Sequence, residues 1–125
     1  MEIILSNMDG APIYEQIFRQ IKTKIVSGEL RAGEALPSMR LLAKELRISV
    51  ITTKRAYEEL ERNGFIVTQT GRGSFVASCS TERLREEQLR VVEEHLSNAV
   101  QAARIGQLPE NEFLDIAKTL FEEET

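Results

Sequence analysis

Residues 36–75 read LPSMRLLAKELRISVITTKRAYEELERNGFIVTQTGRGSF, and this stretch decides the fold. Ser38 stands where an N-cap belongs, ahead of Leu41, Leu42 and Leu46 as the buried side of a short helix. Arg47 and Ile48 form a tight turn. Ser49 then caps a second helix that runs to about Asn63, where Gly64 stops it. Within that helix Val50, Thr53, Ala56, Tyr57 and Leu60 follow helical spacing and are predicted to pack inward. Ile51, Thr52, Lys54 and Arg55 are left to point out. Phe65-Ile66-Val67-Thr68-Gln69 and Ser74-Phe75-Val76 are rich in β-branched and aromatic residues, and they face each other across Thr70-Gly71-Arg72-Gly73. Helix, turn, helix and basic-tipped hairpin, in that order, describe a winged helix-turn-helix of mainly α class.

Upstream, Pro12 precedes Ile13, Ile17, Ile21 and Ile25, an apolar stripe repeating every four residues. Proline suits the first turn of a helix and Gly28 suits its exit, so a helix is predicted over about residues 13–27, with a loop over 28–34. Downstream, residues 78–80 read as a polar linker and Thr81 as a cap. A long helix follows with Leu84, Val91, Val92, Leu96, Ala99, Val100 and Ala103 on one broad face, and Gly106 is expected to end it. Leu108 is placed to staple onto Phe113 at the start of a last helix, whose stripe continues through Ile116, Ala117, Leu120 and Phe121. The expected organisation is a winged-helix domain over residues 11–77, a linker over 78–80 and a helical tail over 81–123. Two amphipathic helices of this size cannot cover their apolar faces on each other alone. A second copy of the chain is the simplest cover, with Leu84, Val92, Leu96, Val100, Phe113, Ile116 and Leu120 as the predicted dimer interface.

The chain has 125 residues, 42% of them hydrophobic and 29% charged, which is ordinary for a soluble globular protein. No apolar run approaches bilayer-spanning length, the opening MEIILSNMDG lacks the basic and apolar regions of a signal peptide, and one cysteine cannot form an internal disulfide. A soluble protein of the reducing cytoplasm, away from membranes, is expected. The net charge of −4 is unevenly spread: residues 1–78 carry 11 basic against 9 acidic side chains, and residues 79–125 carry 5 against 11. Residues 38–55 hold Arg40, Lys44, Arg47, Lys54 and Arg55 with Glu45 as the single acid. Charges beyond roughly 8 Å are screened at cellular salt, so the acidic tail does not veto a polyanionic partner at the basic end. It implies two parts with two jobs.

A helix-turn-helix reader lays the amino-terminal end of its second helix in the DNA major groove. Here that end is Ser49-Val50-Ile51-Thr52-Thr53-Lys54-Arg55. Ser49 and Thr52 can donate to phosphate, Ile51 can touch thymine methyls, and Lys54 can reach a guanine edge. Arg40 can enter the groove from the side, and Arg72 at the hairpin tip suits the minor groove. Ser38, Arg40, Ser49, Val50, Ile51, Thr52, Lys54, Arg55, Thr70, Gly71 and Arg72 are therefore the candidate contacts to an operator in double-stranded DNA.

These residues resemble a known family. From Pro12 to about residue 77 the chain is similar to the GntR-type winged helix-turn-helix of bacterial transcription regulators, through Gly28-x-x-x-x-Gly33, Leu36-Pro37-Ser38, Arg40, Ala56-Tyr57-x-x-Leu60, Gly64 and Gly71-x-Gly73-x-Phe75-Val76. The short two-helix tail resembles that of the YtrA-like branch, which the resemblance implies is a dimerising element. It also implies that Arg40 is a DNA-contacting arginine, that Ser49, Val50, Ile51, Thr52 and Lys54 read or clamp the operator, and that Thr70-Gly71 is the wing contact. Arg47 stands where a glycine is common, which implies a backbone in the turn that is strained or differently shaped.

Plainer readings hold for several residues. Lys44 and Arg62 read as solvated surface charge, and Tyr57 and Phe65 as core rather than base-stacking platforms. Cys79 has no basic sequence neighbour and reads as an inert thiol. His95 has no second ligand for a metal site, and the Gly71-x-Gly73 pair lacks the lysine and following helix of a phosphate loop. No cofactor, metal or nucleophile–base pair is readable, so an enzyme is not expected. The rival to a homodimeric DNA-binding repressor is a winged-helix module that binds protein instead. A small-molecule effector, held between tail and DNA domain, is a variant of the first reading and has no sequence signal naming it.

Overall fold

The computed structural model describes residues 1–78 and 81–123, without the side chain of Thr81. Cys79, and the Thr81 side chain expected to cap the next helix, lie outside what is described. The chain divides into two compact units, residues 1–84 and residues 85 onward.

The first unit is organised around helix α1, Ile13–Val26, whose Ile17, Ile21 and Ile25 are buried at the expected four-residue spacing. Two glutamines on α1 hold the preceding chain beside it. The Gln16 amide donates to the carbonyls of Ser6 and Ala11 at 2.8 and 2.9 Å, and its oxygen accepts from the Ser6 N–H. Gln20 forms the same two-way clamp with the N–H and carbonyl of Ile4. With its backbone thus satisfied, the opening segment inserts Ile3 into the core.

Helix α2, Met39–Leu46, starts at Ser38, whose hydroxyl accepts from the Leu41 N–H. Its buried side is Leu42 and Ala43, while Leu41 is 48% exposed. The expectation for Leu41 is thus overturned. A helix of eight residues that packs on one neighbour buries only the narrow face around Leu42. Helix α3, Val50–Arg62, starts at Ser49, which accepts from the Ile51 N–H. Thr53, Ala56, Tyr57 and Leu60 fill the space against α1 and α2. Each fully buried large side chain here contributes on the order of 1.5–3 kcal/mol. Val50 does not join them: it is 44% exposed, because the first turn of α3 extends past the edge of the core.

Strand β1, Ile66–Gln69, pairs antiparallel with β2, Gly73–Val76, in the register Ile66↔Val76 to Gln69↔Gly73. Ile66 and Val76 are both buried, and Phe65 meets Phe18 edge-on at 6.4 Å. The segment predicted as loop supplies a third edge. Leu36 N–H donates to Ser74, Gly33 N–H to Val76, and Val76 N–H returns to Glu34, with a bridge between Ala35 and Phe75. This ties the approach to α2 directly to the hairpin.

Helix α4 (Thr81–Ile105), which continues into the second unit, stops just before Gly106 as expected, and the turn to α5 (Glu110–Glu123) has Gln107 as its left-handed residue, at φ 54°. Leu108 N–H donates to Ala103 and Gln107 N–H to Arg104, closing the helix end. No residue of α5 is fully buried, and Phe113 and Ala117 are half-buried. Leu84, at the amino-terminal end of α4, belongs to the first unit and packs against its core.

Candidate nucleic-acid interface

One face of α3, Thr53, Ala56, Tyr57 and Leu60, is anchored in the core, while its first turn and its outer face are not. Ile51 is 80% exposed, Val50, Lys54 and Arg55 are exposed beside it, and Thr52 is half-buried. Val50 and Ile51 stand open together at the head of the helix, beside Lys54 and Arg55. They form a short apolar and basic ridge on a helix, the element that a major groove admits.

Ser38 and Ser49 each spend a lone pair on a helix N–H, at 3.1 and 3.0 Å. The hydroxyl proton of each stays available, so a capping serine can donate to a phosphate oxygen while it caps. Arg40 is exposed in the first turn of α2, and Arg72 is exposed at the hairpin tip; neither side chain has an ion-pair or hydrogen-bond partner among the described residues. Lys54 has only a loose contact with Glu58 at 3.9 Å. The tip itself is closed by Arg72 N–H donating to Gln69, with Gly71 at φ 80° and Gly73 at φ 113°, a backbone that would strain any residue with a Cβ. Thr70 is exposed there.

Two contacts give this surface its rigidity. Tyr57 is buried, and its hydroxyl donates to the Pro37 carbonyl at 2.8 Å, fixing the start of α2 to the middle of α3. Burial pushes the Tyr57 phenol well above its ordinary range, so it stays a donor. Arg55 lies over the Tyr14 ring, 3.8 Å from its centre, and donates to the Tyr14 hydroxyl at 3.3 Å. The sequence carries no trace of that second pairing, since it depends on how α1 crosses α3. Arg62, by contrast, pairs with Glu59 at 2.6 Å, as a surface charge does.

The predicted tail residues present a different surface. Val92, Leu96, Ile116 and Leu120 are 46–56% exposed, and Val100 and Phe113 are half-buried. Leu84 is set apart by its contact with the core of the first unit. Exposed Leu89, Ile105 and Leu114 were not singled out from the sequence. Leu89 was findable: with Val92, Leu96, Ala99 and Ala103 it makes an alternating three- and four-residue spacing, the seam of a helix packed on another helix.

A helix-turn-helix with an open, basic reading end and a glycine-tipped hairpin beside it defines a winged-helix DNA-binding regulator. Comparison with known proteins agrees. Residues 13–76 match the model of the bacterial regulatory proteins of the gntR family, and the chain belongs to that family. It is 37% identical over 91 residues to the HTH-type transcriptional repressor YtrA of Bacillus subtilis strain 168, spanning 73% of this chain and 70% of that protein. Among solved structures it is similar to a GntR family transcriptional regulator from Listeria monocytogenes, at 30% identity and a TM-score of 0.77, covering 89% of this chain and 96% of the other. It is also similar to YtrA from Sulfolobus acidocaldarius, a GntR-family transcription factor, at 36% identity and a TM-score of 0.62, covering 76% and 97%. The relatives are transcription regulators rather than enzymes.

Proposed function

We propose that this regulator binds a pseudo-palindromic operator as a homodimer and represses transcription in the cytoplasm by occluding a promoter. The observation that carries the reading is the open head of α3, with Ile51 80% exposed between exposed Val50 and Lys54. In this arrangement Ile51 and Lys54 touch base edges, Ser38, Ser49, Thr52 and Arg55 engage phosphates, Arg40 reaches in from α2, and Thr70, Gly71 and Arg72 meet the flanking groove. A second copy joined through the exposed faces of α4 and α5 presents a second α3, and two-fold symmetry then calls for half-sites about one helical turn, roughly 34 Å, apart or a multiple of that. Further support for repression comes from the similarity to the B. subtilis repressor.

The test is a titration of the purified chain against DNA from its own upstream region and against an unrelated duplex, over a salt series. Binding to its own region that survives salt removing the unrelated duplex is expected. Failure to bind either duplex would leave the protein-binding alternative standing in its place.

A further inference from the structure

We propose that Tyr14 is a positioning residue for DNA binding: it holds the Arg55 guanidinium as a ready phosphate clamp at the side of the reading helix, and so brings α1 into operator recognition. The inference rests on the DNA-binding reading above and adds a residue outside the helix-turn-helix and the wing. Arg55 sits one turn behind Ile51 on the same exposed face of α3. Its guanidinium lies 3.8 Å from the centre of the Tyr14 ring, and one N–H reaches the Tyr14 hydroxyl.

The two interactions leave the working part of the group open. The ring holds the guanidinium through its π face and one N–H, whereas a phosphate binds N–H groups directed away from the ring. Of five N–H donors, the tyrosine takes one. Arg55 is exposed and has no carboxylate partner among the described residues, unlike Lys54 on Glu58 and Arg62 on Glu59. A free arginine loses much rotamer freedom when it engages a phosphate; one already stacked on a ring loses less. Tyr14 is itself held, since it belongs to the first turn of a helix whose next turn carries fully buried Ile17.

The experiment compares full-length wild type with Tyr14→Leu, Tyr14→Phe and Arg55→Gln on the two duplexes named above, over a salt series, with a melting curve for each variant. Arg55→Gln is expected to weaken binding to both duplexes about equally and to lower the slope of log K against log salt by about 0.9, the mark of one lost phosphate contact. Tyr14→Leu is expected to weaken binding about three- to fivefold with the slope unchanged, because the charge remains while its placement is lost. Tyr14→Phe keeps the ring and is expected to recover most of that loss. Adding Tyr14→Leu to Arg55→Gln should weaken binding no further.

An unchanged salt slope in Arg55→Gln overturns the phosphate clamp. A Tyr14→Leu variant that melts lower yet binds both duplexes as wild type does overturns the positioning role and leaves the pair a staple between helices. Equal wild-type affinity for the two duplexes would defeat operator specificity alone, since a phosphate contact and its salt slope are read on any sequence.

Discussion

The Tyr57 hydroxyl donates to the Pro37 carbonyl oxygen at 2.8 Å, so the largest fully buried side chain of α3 grips the backbone one residue before the cap of α2. The two halves of the helix-turn-helix are thereby fixed by a single polar bond inside an apolar setting. Tyr57→Phe removes the donor and leaves the Pro37 carbonyl unpaired. A loss of about 1–2 kcal/mol in urea unfolding is expected, together with weaker DNA binding as Ser38 and Arg40 lose their reference point. A variant as stable as wild type would mean the carbonyl finds another partner.

The same bond gives a pH dependence of known sign. Burial raises the folded-state pKa of Tyr57 above its unfolded value of about 10. Its contribution is therefore complete below pH 10, and it is lost as pH rises above that value toward the higher folded one. Stability measured from pH 8 to 11.5 should fall more steeply in wild type than in Tyr57→Phe. Parallel curves would count against a buried, protonated phenol.

Left-handed backbone at helix exits offers two changes of opposite sign. Arg47 sits at φ 57° after α2, and Gly64 at φ 80° after α3. An L residue in this region costs on the order of 1–2 kcal/mol, so Arg47→Gly should stabilise the protein, by about 0.5–1 kcal/mol after the added flexibility of the unfolded chain is counted. Gly64→Ala should destabilise it by about that backbone cost. The Arg83 guanidinium, which lies over Gly64 and donates to the Asn63 carbonyl at 2.8 Å, is the far end of a flexible side chain and can swing away from the added Cβ. Thermal melting of both variants checks the pair, and matching signs would refute the strain argument.

Much of the first unit was legible because its signals are local. Capping serines at 38 and 49, the four-residue isoleucine stripe and the glycine-tipped hairpin each follow from neighbours in sequence. What escaped was set by tertiary placement. Helical spacing assigns Val50 and Leu41 to an apolar face but cannot say where the core stops, and both lie beyond it. Gln16 and Gln20 look like ordinary polar positions until the opening segment runs past them and takes their amides as strand-like partners. The contact of Arg55 with Tyr14 needed the crossing of α1 and α3, which brings together residues 41 apart in sequence. Gln107 took the left-handed position beside Gly106 because the turn's hydrogen bonds to Ala103 and Arg104 place it one residue later.

On the reading surface, Arg40→Ala and Lys54→Ala are each expected to cost about 1–3 kcal/mol of operator affinity where the side chain meets a base. Both are exposed and engage little else in the chain, so their removal should leave the melting temperature within experimental scatter. Anisotropy titration with the operator duplex separates the two effects. Unchanged affinity in both variants would remove the proposed reading surface.

The tail carries the prediction with the largest consequence. Val92 and Leu96 on α4 and Ile116 and Leu120 on α5 are each about half exposed, and no residue of α5 is fully buried. In a symmetric dimer a charge placed at the centre of such a face appears twice and loses its water both times. Leu96→Glu should therefore convert a two-copy species to a single copy in sedimentation. The first unit has its own core, so its melting should be unaffected. Operator binding should weaken by more than tenfold, because two linked α3 helices engage a pseudo-palindrome as one event and separated ones must each bind alone. Wild type sedimenting as one copy at micromolar concentration, or Leu96→Glu sedimenting as two, would place the dimer contact elsewhere and detach half-site spacing from the tail.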